Sequence, residues 1–199
     1  YFTFYFNHES STCSGSSGYY GHSETGSYLR SSGNINSSSD FALLEMDDDP
    51  ASWWDPYFAG WSRSSSAPTI SAGIHHPGGY AKEINFDNDQ ASSCSWDYSG
   101  NYHWCLNWDD GGTAGGSSGS PIFNNSKLIV GQLSGGTGTD CSGTDFYGKF
   151  SKSWSNTSSS SGNLKAWLDP GNTSAYTLDG TYDGASIVYG CTDSSACNY

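Results

Sequence analysis

The chain has 199 residues, of which 34% are hydrophobic and 16% aromatic, so it fits one large domain or two half-sized lobes with an aromatic core, and not a disordered chain. Seven Lys plus Arg against 20 Asp plus Glu give a formal net charge of −13, which argues against a nucleic-acid partner, because phosphate contacts need clustered cations. No apolar run has the length of a membrane span, and no basic-then-apolar leader opens the chain.

The 26 Gly, the abundant Ser and the scarcity of long helix formers predict an all-β chain of short strands joined by turns. "YFTFYF" alternates and reads as a strand that starts mid-pattern, and residues 14–27 read as turn material. "GSYLRSSG" is a short strand, and the apolar run Phe41-Ala42-Leu43-Leu44 is another. "AGWSRSSS" and "PTISAGIHHPGG" are strand-turn segments, and "AKEINFDND" alternates again. "NYHWCLNW" is an aromatic strand before a Gly-rich loop. "SKLIVGQLSGG" is the clearest buried strand, from Leu128 to Leu133, and "DFYGKFSKSW" alternates once more. "GNLKAWLDP" is the best helix, short and closed by Pro170. Beyond it lie a polar connector over 171–188 and a compact cysteine module over 189–199.

Six cysteines stand at 13, 94, 105, 141, 191 and 197, with no CxxC spacing that suits a metal. Their even number in an acidic Ser/Gly/Tyr-rich chain predicts disulfides and an extracytoplasmic home. Cys94 with Cys105 and Cys191 with Cys197 are candidate short loops; Cys13 and Cys141 then pair together or with cysteines elsewhere. "MDDDP" and "NFDND" lack a calcium-loop spacing and read as solvated acidic loops, so no metal and no cofactor is expected. Most of the tryptophans read as core or rim.

Chemistry concentrates in "GTAGGSSGSPIF". Two readings are open there: a flexible Gly/Ser loop, or a turn that aims a serine at a carbonyl with backbone N–H groups beside it. "GSSGSP" resembles the G-x-S-G-G-P loop of chymotrypsin-like serine proteases. Alignment on that loop makes Ser118 the nucleophile and the Gly116 and Ser118 N–H groups the oxyanion hole. "SDFALLEM" resembles the segment that carries the acid of the same class and makes Asp40 the triad acid, 78 positions before Ser118. An acid capping a strand is the plainer reading of Asp40.

"SDFALLEMDDDP", "AGWSRS", "GIHHPGGYAKEI", "GGSSGSPIF", "VGQLSGG" and "TDFYGKFSKSW" occur in order. Together they resemble the bacterial lysyl endopeptidases, a trypsin-like family, over residues 1–170. The resemblance implies a secreted or cell-surface bacterial serine endopeptidase with a chymotrypsin-like double β-barrel, the first barrel incomplete, and a short C-terminal helix. It implies monomeric action on polypeptides with a basic P1 residue. Ser134 and Gly136 would line the cleft, and Asp145 would hold the basic side chain. Ser134 stands where lysine-specific members carry a histidine, which leaves arginine open as a second P1 residue.

The family's catalytic histidine lies in an alanine-histidine-cysteine segment upstream of the strand that "YFTFYF" resembles. None of His8, His22, His75, His76 and His103 occupies such a segment. The expectation is therefore an N-terminally truncated domain, inactive by itself, with Cys13 and Cys141 left as free thiols. Residues 1–30 would be its least securely packed part. "GCTDSSACNY" resembles the start of a cysteine-rich repeat appended to secreted Bacteroidetes proteins. The competing function is a catalytically dead protease-like binding or adhesion module; a carbohydrate-binding β-domain would explain exposed aromatics but not the ordered motifs.

Overall fold

β-strands carry the fold, and helices are confined to single turns. The structure is a computed structural model, and it describes residues 2–12, 18–96, 100–138 and 143–182. In chain order the strands are β1 (Thr3–Phe6), β2 (His22–Thr25), β3 (Ser27–Gly33), β4 (Phe41–Met46), β5 (Trp61–Ser62), β6 (Ser71–His75), β7 (Glu83–Asp87), β8 (Ser92–Cys94), β9 (His103–Leu106), β10 (Pro121–Asn124), β11 (Ile129–Gly136) and β12 (Asp145–Lys149). Two short helices, α1 (Phe150–Trp154) and α2 (Lys165–Leu168), precede β13 (Thr177–Leu178).

The main sheet runs β7-β6-β10-β11-β12-β9-β8, with β5 pairing parallel to β11 and antiparallel to β13. β1 with β2, and β3 with β4, form separate antiparallel ribbons. The all-β class is thus observed, with open sheets. Among the described residues β7 and β8, the ends of the long path, do not pair with each other, so neither expected barrel closes through its strands.

Side chains of β10, β11 and β12 build the larger core. Ile122, Val130, Leu133 and Tyr147 pack with Ala91, Trp104 and Leu106, and Ile122 and Tyr147 are 0% exposed. A second cluster of Phe41, Trp61, Phe150, Trp154 and Leu164 fastens the β3–β4 ribbon to this sheet through α1. The sequence pattern had run "DFYGKFSKSW" on as a strand. Instead the chain turns into α1 at Phe150, because Phe150, Ser153 and Trp154 then share one buried helical face. The expected helix near Pro170 is α2, one turn long.

Cys94 and Cys105 are joined by a disulfide that ties β8 to β9. Cys13, Cys141, Cys191 and Cys197 lie outside the described residues, as does the cysteine module. The connector expected over 171–188 is docked in its described part. β13 pairs with β5, Phe58 and Thr181 exchange backbone hydrogen bonds, and the Arg63 guanidinium donates to the Ala175 and Ser174 carbonyls. A polar segment pairs here because β5 offers a free strand edge and Arg63 supplies donors for its carbonyls.

Candidate active site

The loop between β9 and β10 makes two consecutive tight turns at glycines with left-handed backbone, Gly116 at φ 99° and Gly119 at φ 81°. Space also demands glycine at 116, where a Cβ would stand 3.1 Å from the Gly78 nitrogen and 3.2 Å from the Gly79 nitrogen. The turns bury Ser117, at 1% exposure, and expose Ser118.

Backbone carbonyl bonds set the direction of the N–H groups around Ser118. Gly78 N–H donates to the Gly115 carbonyl at 2.7 Å, and Ser120 N–H donates to the Ser117 carbonyl at 3.1 Å. In a planar trans peptide the C=O and the following N–H point in opposite directions. The Gly116 and Ser118 N–H groups therefore point away from those partners. Among the described residues neither has a protein acceptor, whereas Ser117 N–H is taken by Ala114 and Gly119 N–H by Leu133. Two unpaired donors flanking an exposed hydroxyl make a ready site for an oxygen that gains negative charge.

β11 gathers the other residues. Gly119 and Ser120 bond Leu133 through both of its backbone groups, which fixes the serine loop on this strand. One residue earlier, Gln132 Nε2 donates to the Ser39 carbonyl at 2.7 Å and the Asp40 carbonyl at 3.2 Å. Asp40 itself has φ 51°, a turned geometry that an Asp tolerates, and its half-buried carboxylate has no hydrogen-bond partner among the described residues. Ser39, wholly buried, shares a 2.7 Å hydrogen bond with Ser153 of α1. Neighbouring positions of one strand thus hold the loop of Ser118 and the backbone of Asp40.

Ser134 follows on a register shift between Leu133 and Gly135 and shares a 3.1 Å hydrogen bond with His103 Nε2. His103 is 1% exposed, and its Nδ1 is buried without a partner among the described residues. Burial pushes its pKa down, and the nearby Asp40 charge opposes that shift. The Trp96 ring lies against Gly135 and stacks at a tilt on Phe146, which places it beside β11 and β12.

Asp145 begins β12 opposite Gly136 and is 7% exposed. Its Oδ2 accepts from Trp108 Nε1 at 2.6 Å and Thr113 Oγ1 at 2.7 Å. Its Oδ1 makes no hydrogen bond among the described residues and lies over the Cα of Gly136, where any side chain would cover it. Thr113 belongs to the serine loop, so the carboxylate and the loop brace each other.

The five histidines have other partners. His8 approaches the Tyr19 and Gly79 carbonyls, His22 stacks on Trp54, and His76 meets the Tyr80 carbonyl. His75 shares a 2.8 Å hydrogen bond with Ser117, a pairing 42 positions apart that sequence reading had missed. None bonds Ser118 among the described residues. The site residues expected from sequence, Asp40, Gly116, Ser118, Ser134, Gly136 and Asp145, all lie on or beside β11 and β12. His75, Gln132 and Trp96 were not singled out for the site.

No helix among the described residues is long and apolar enough to cross a membrane. A crystal structure of an inactive serine-to-alanine mutant of Rv3671c from M. tuberculosis is similar at 18% identity and a TM-score of 0.43, covering 66% of this chain. This chain spans 62% of the length of that one. The sequence profile described as lysyl endopeptidase, C-terminal domain, matches residues 1–148. That match takes in Asp40, the serine loop, β11 and Asp145, and by it the chain belongs to the lysyl endopeptidase family of serine proteases.

Proposed function

We propose that the full-length protein is a secreted serine endopeptidase that cleaves polypeptides on the carboxyl side of lysine, with arginine as a second P1 residue. The observation that carries this reading is the serine loop: an exposed Ser118 hydroxyl between two outward N–H groups that acceptors among the described residues leave free. Ser118 Oγ attacks the scissile carbonyl, and the Gly116 and Ser118 N–H groups bind the resulting oxyanion. Asp40 orients the imidazole that takes the serine proton and returns it to the leaving amine. That imidazole comes from outside these 199 residues, and the chain alone is nearly inert. Ser134 and Gly136 border the bound substrate. Asp145 Oδ1 receives the P1 cation, while Trp108 and Thr113 hold the carboxylate in place.

Asp145→Asn in the full-length protein tests the specificity half. Truncating one partner of a buried charge pair costs about 2–5 kcal/mol, so kcat/KM on lysyl and arginyl peptides should fall roughly 30- to 5,000-fold. An unchanged kcat/KM would remove Asp145 from the binding of P1. A second reading, a catalytically silent binding module, rests on the absence of any histidine at Ser118 among the described residues. Failure of the full-length protein to cleave Lys or Arg substrates and to react with a serine-directed phosphonate would favour it.

A further inference from the structure

His75 and Ser117 form a buried pair directly beneath the serine loop. His75 is 2% exposed, Ser117 is 1% exposed, and their Nδ1 and Oγ atoms are 2.8 Å apart. This is the separation of a base and its nucleophile, but no polypeptide reaches a serine so enclosed. The pair therefore has another use.

Hydrogen-bond inventory assigns the protons. Ala114 N–H donates to Ser117 Oγ at 3.3 Å, and with that lone pair taken we assign the hydroxyl proton to the bond with His75 Nδ1, which puts the imidazole proton on Nε2, buried without a partner among the described residues. Burial favours the same neutral ring by lowering the His75 pKa, against Glu83 and Asp145, which favour the cation, and with His76, which disfavours it. The residues that follow His75 make a second contact, from Gly78 N–H to the Gly115 carbonyl. The end of β6 thus holds the serine loop on both sides of Gly116: by a side chain at Ser117 and by the backbone at Gly115.

We propose that His75 is a positioning residue for catalysis, which acts through Ser117 to hold the Gly116 N–H in its outward direction and so keeps the oxyanion hole formed before substrate arrives. Without the Ser117 anchor, the Gly78 N–H bond to the Gly115 carbonyl is left to hold the 115–116 peptide by itself, and a peptide between two glycines then rotates more readily. Its carbonyl then takes the place of the N–H, and the hole loses one of its two donors. The inference rests on the proposed serine-protease reading and extends it to residues that never touch substrate.

The test uses the full-length protein with Ser117→Ala, His75→Phe, His75→Asn and the Ser117→Ala/His75→Phe double variant. Loss of one oxyanion-hole donor costs about 100- to 1,000-fold in kcat, and partial disorder of the donor should cost about 10- to 100-fold. Ser117→Ala and His75→Phe should each show that loss in kcat with KM within roughly threefold of wild type. The double variant should be no slower than the slower single one, because both break one link. His75→Asn, whose amide oxygen can accept from Ser117, should recover most of the rate. Losses that multiply in the double variant, or variants that melt earlier yet turn over at the wild-type kcat, would overturn the proposal. Should His75→Phe fail to fold, the imidazole ¹⁵N spectrum of the wild-type protein still decides, since a protonated Nδ1 contradicts the assigned link. A wild-type protein that neither turns over nor labels at Ser118 defeats the protease reading itself. Labelling at Ser118 at equal rates in wild type and variants defeats only this inference.

Discussion

Gly148 lies where the Ser39–Asp40 backbone crosses β12, and an alanine there probes how the candidate triad acid is held. A Cβ at this position would collide with the Ser39 carbonyl oxygen and with Gln132 Nε2. The first is main chain and cannot swing aside; the second is the donor that holds both the Ser39 and Asp40 carbonyls. Two hydrogen bonds at about 1 kcal/mol each are weakened, and overpacking of a filled site costs about 1–3 kcal/mol more. Gly148→Ala should therefore destabilise the protein by about 3–5 kcal/mol, or roughly 6–20 °C in Tm for a domain of this size. Denaturant and thermal unfolding of the two proteins measure it. Gly115→Ala, where a Cβ meets nothing within 4 Å, serves as control and should stay within about 0.5 kcal/mol. A Gly148→Ala protein as stable as the control would refute the close crossing and with it the anchoring of Asp40 on β11.

Two further predictions concern stability. Lys149 is 5% exposed, its amine donates to Ser93 Oγ and the Asn101 carbonyl and lies 4.2 Å from the Trp104 ring centre, and burial, aided by the Lys152 charge, pushes its pKa down to about 8. Between about pH 8 and the unfolded value near 10.5 the unfolded chain holds a proton that the folded one has released, so this group makes stability rise with pH across that window. Tm against pH should lose that rise in Lys149→Met, and identical slopes in the two proteins would contradict the buried placement. Replacing Cys94 and Cys105 together by serine reopens a loop with a sequence separation of 11 and should cost about 3 kcal/mol by chain entropy; a loss below about 1 kcal/mol in denaturant unfolding would show that the β8–β9 link carries little of the fold.

Local signals made much of this readable from sequence. Alternation marked the strands that became β7, β9 and β12, a buried apolar run marked β11, and the glycines around Ser118 permit the positive φ found at Gly116 and Gly119. The Pro170 stop marked α2, although α1 was hidden because Phe150, Ser153 and Trp154 fit an alternating run as well as a helical face. What escaped were pairings between distant positions. The link from His75 to Ser117 and the reach of Gln132 to Ser39 and Asp40 leave no periodic trace in either partner's neighbourhood. The docking of residues 174–181 escaped for the same reason, since a polar segment pairs with β5 through backbone groups that every residue has. Sheet closure likewise depends on strand ends that no single segment encodes.

The central claim is that Ser118, and not the histidine-bonded Ser117, is the reactive serine. The most direct measurement treats the full-length protein with a serine-directed phosphonate and maps the adduct by peptide mass spectrometry. The account predicts a single adduct on Ser118, lost in Ser118→Ala and retained at a reduced rate in Ser117→Ala. An adduct on Ser117, or continued labelling of Ser118→Ala at the wild-type rate, would contradict it.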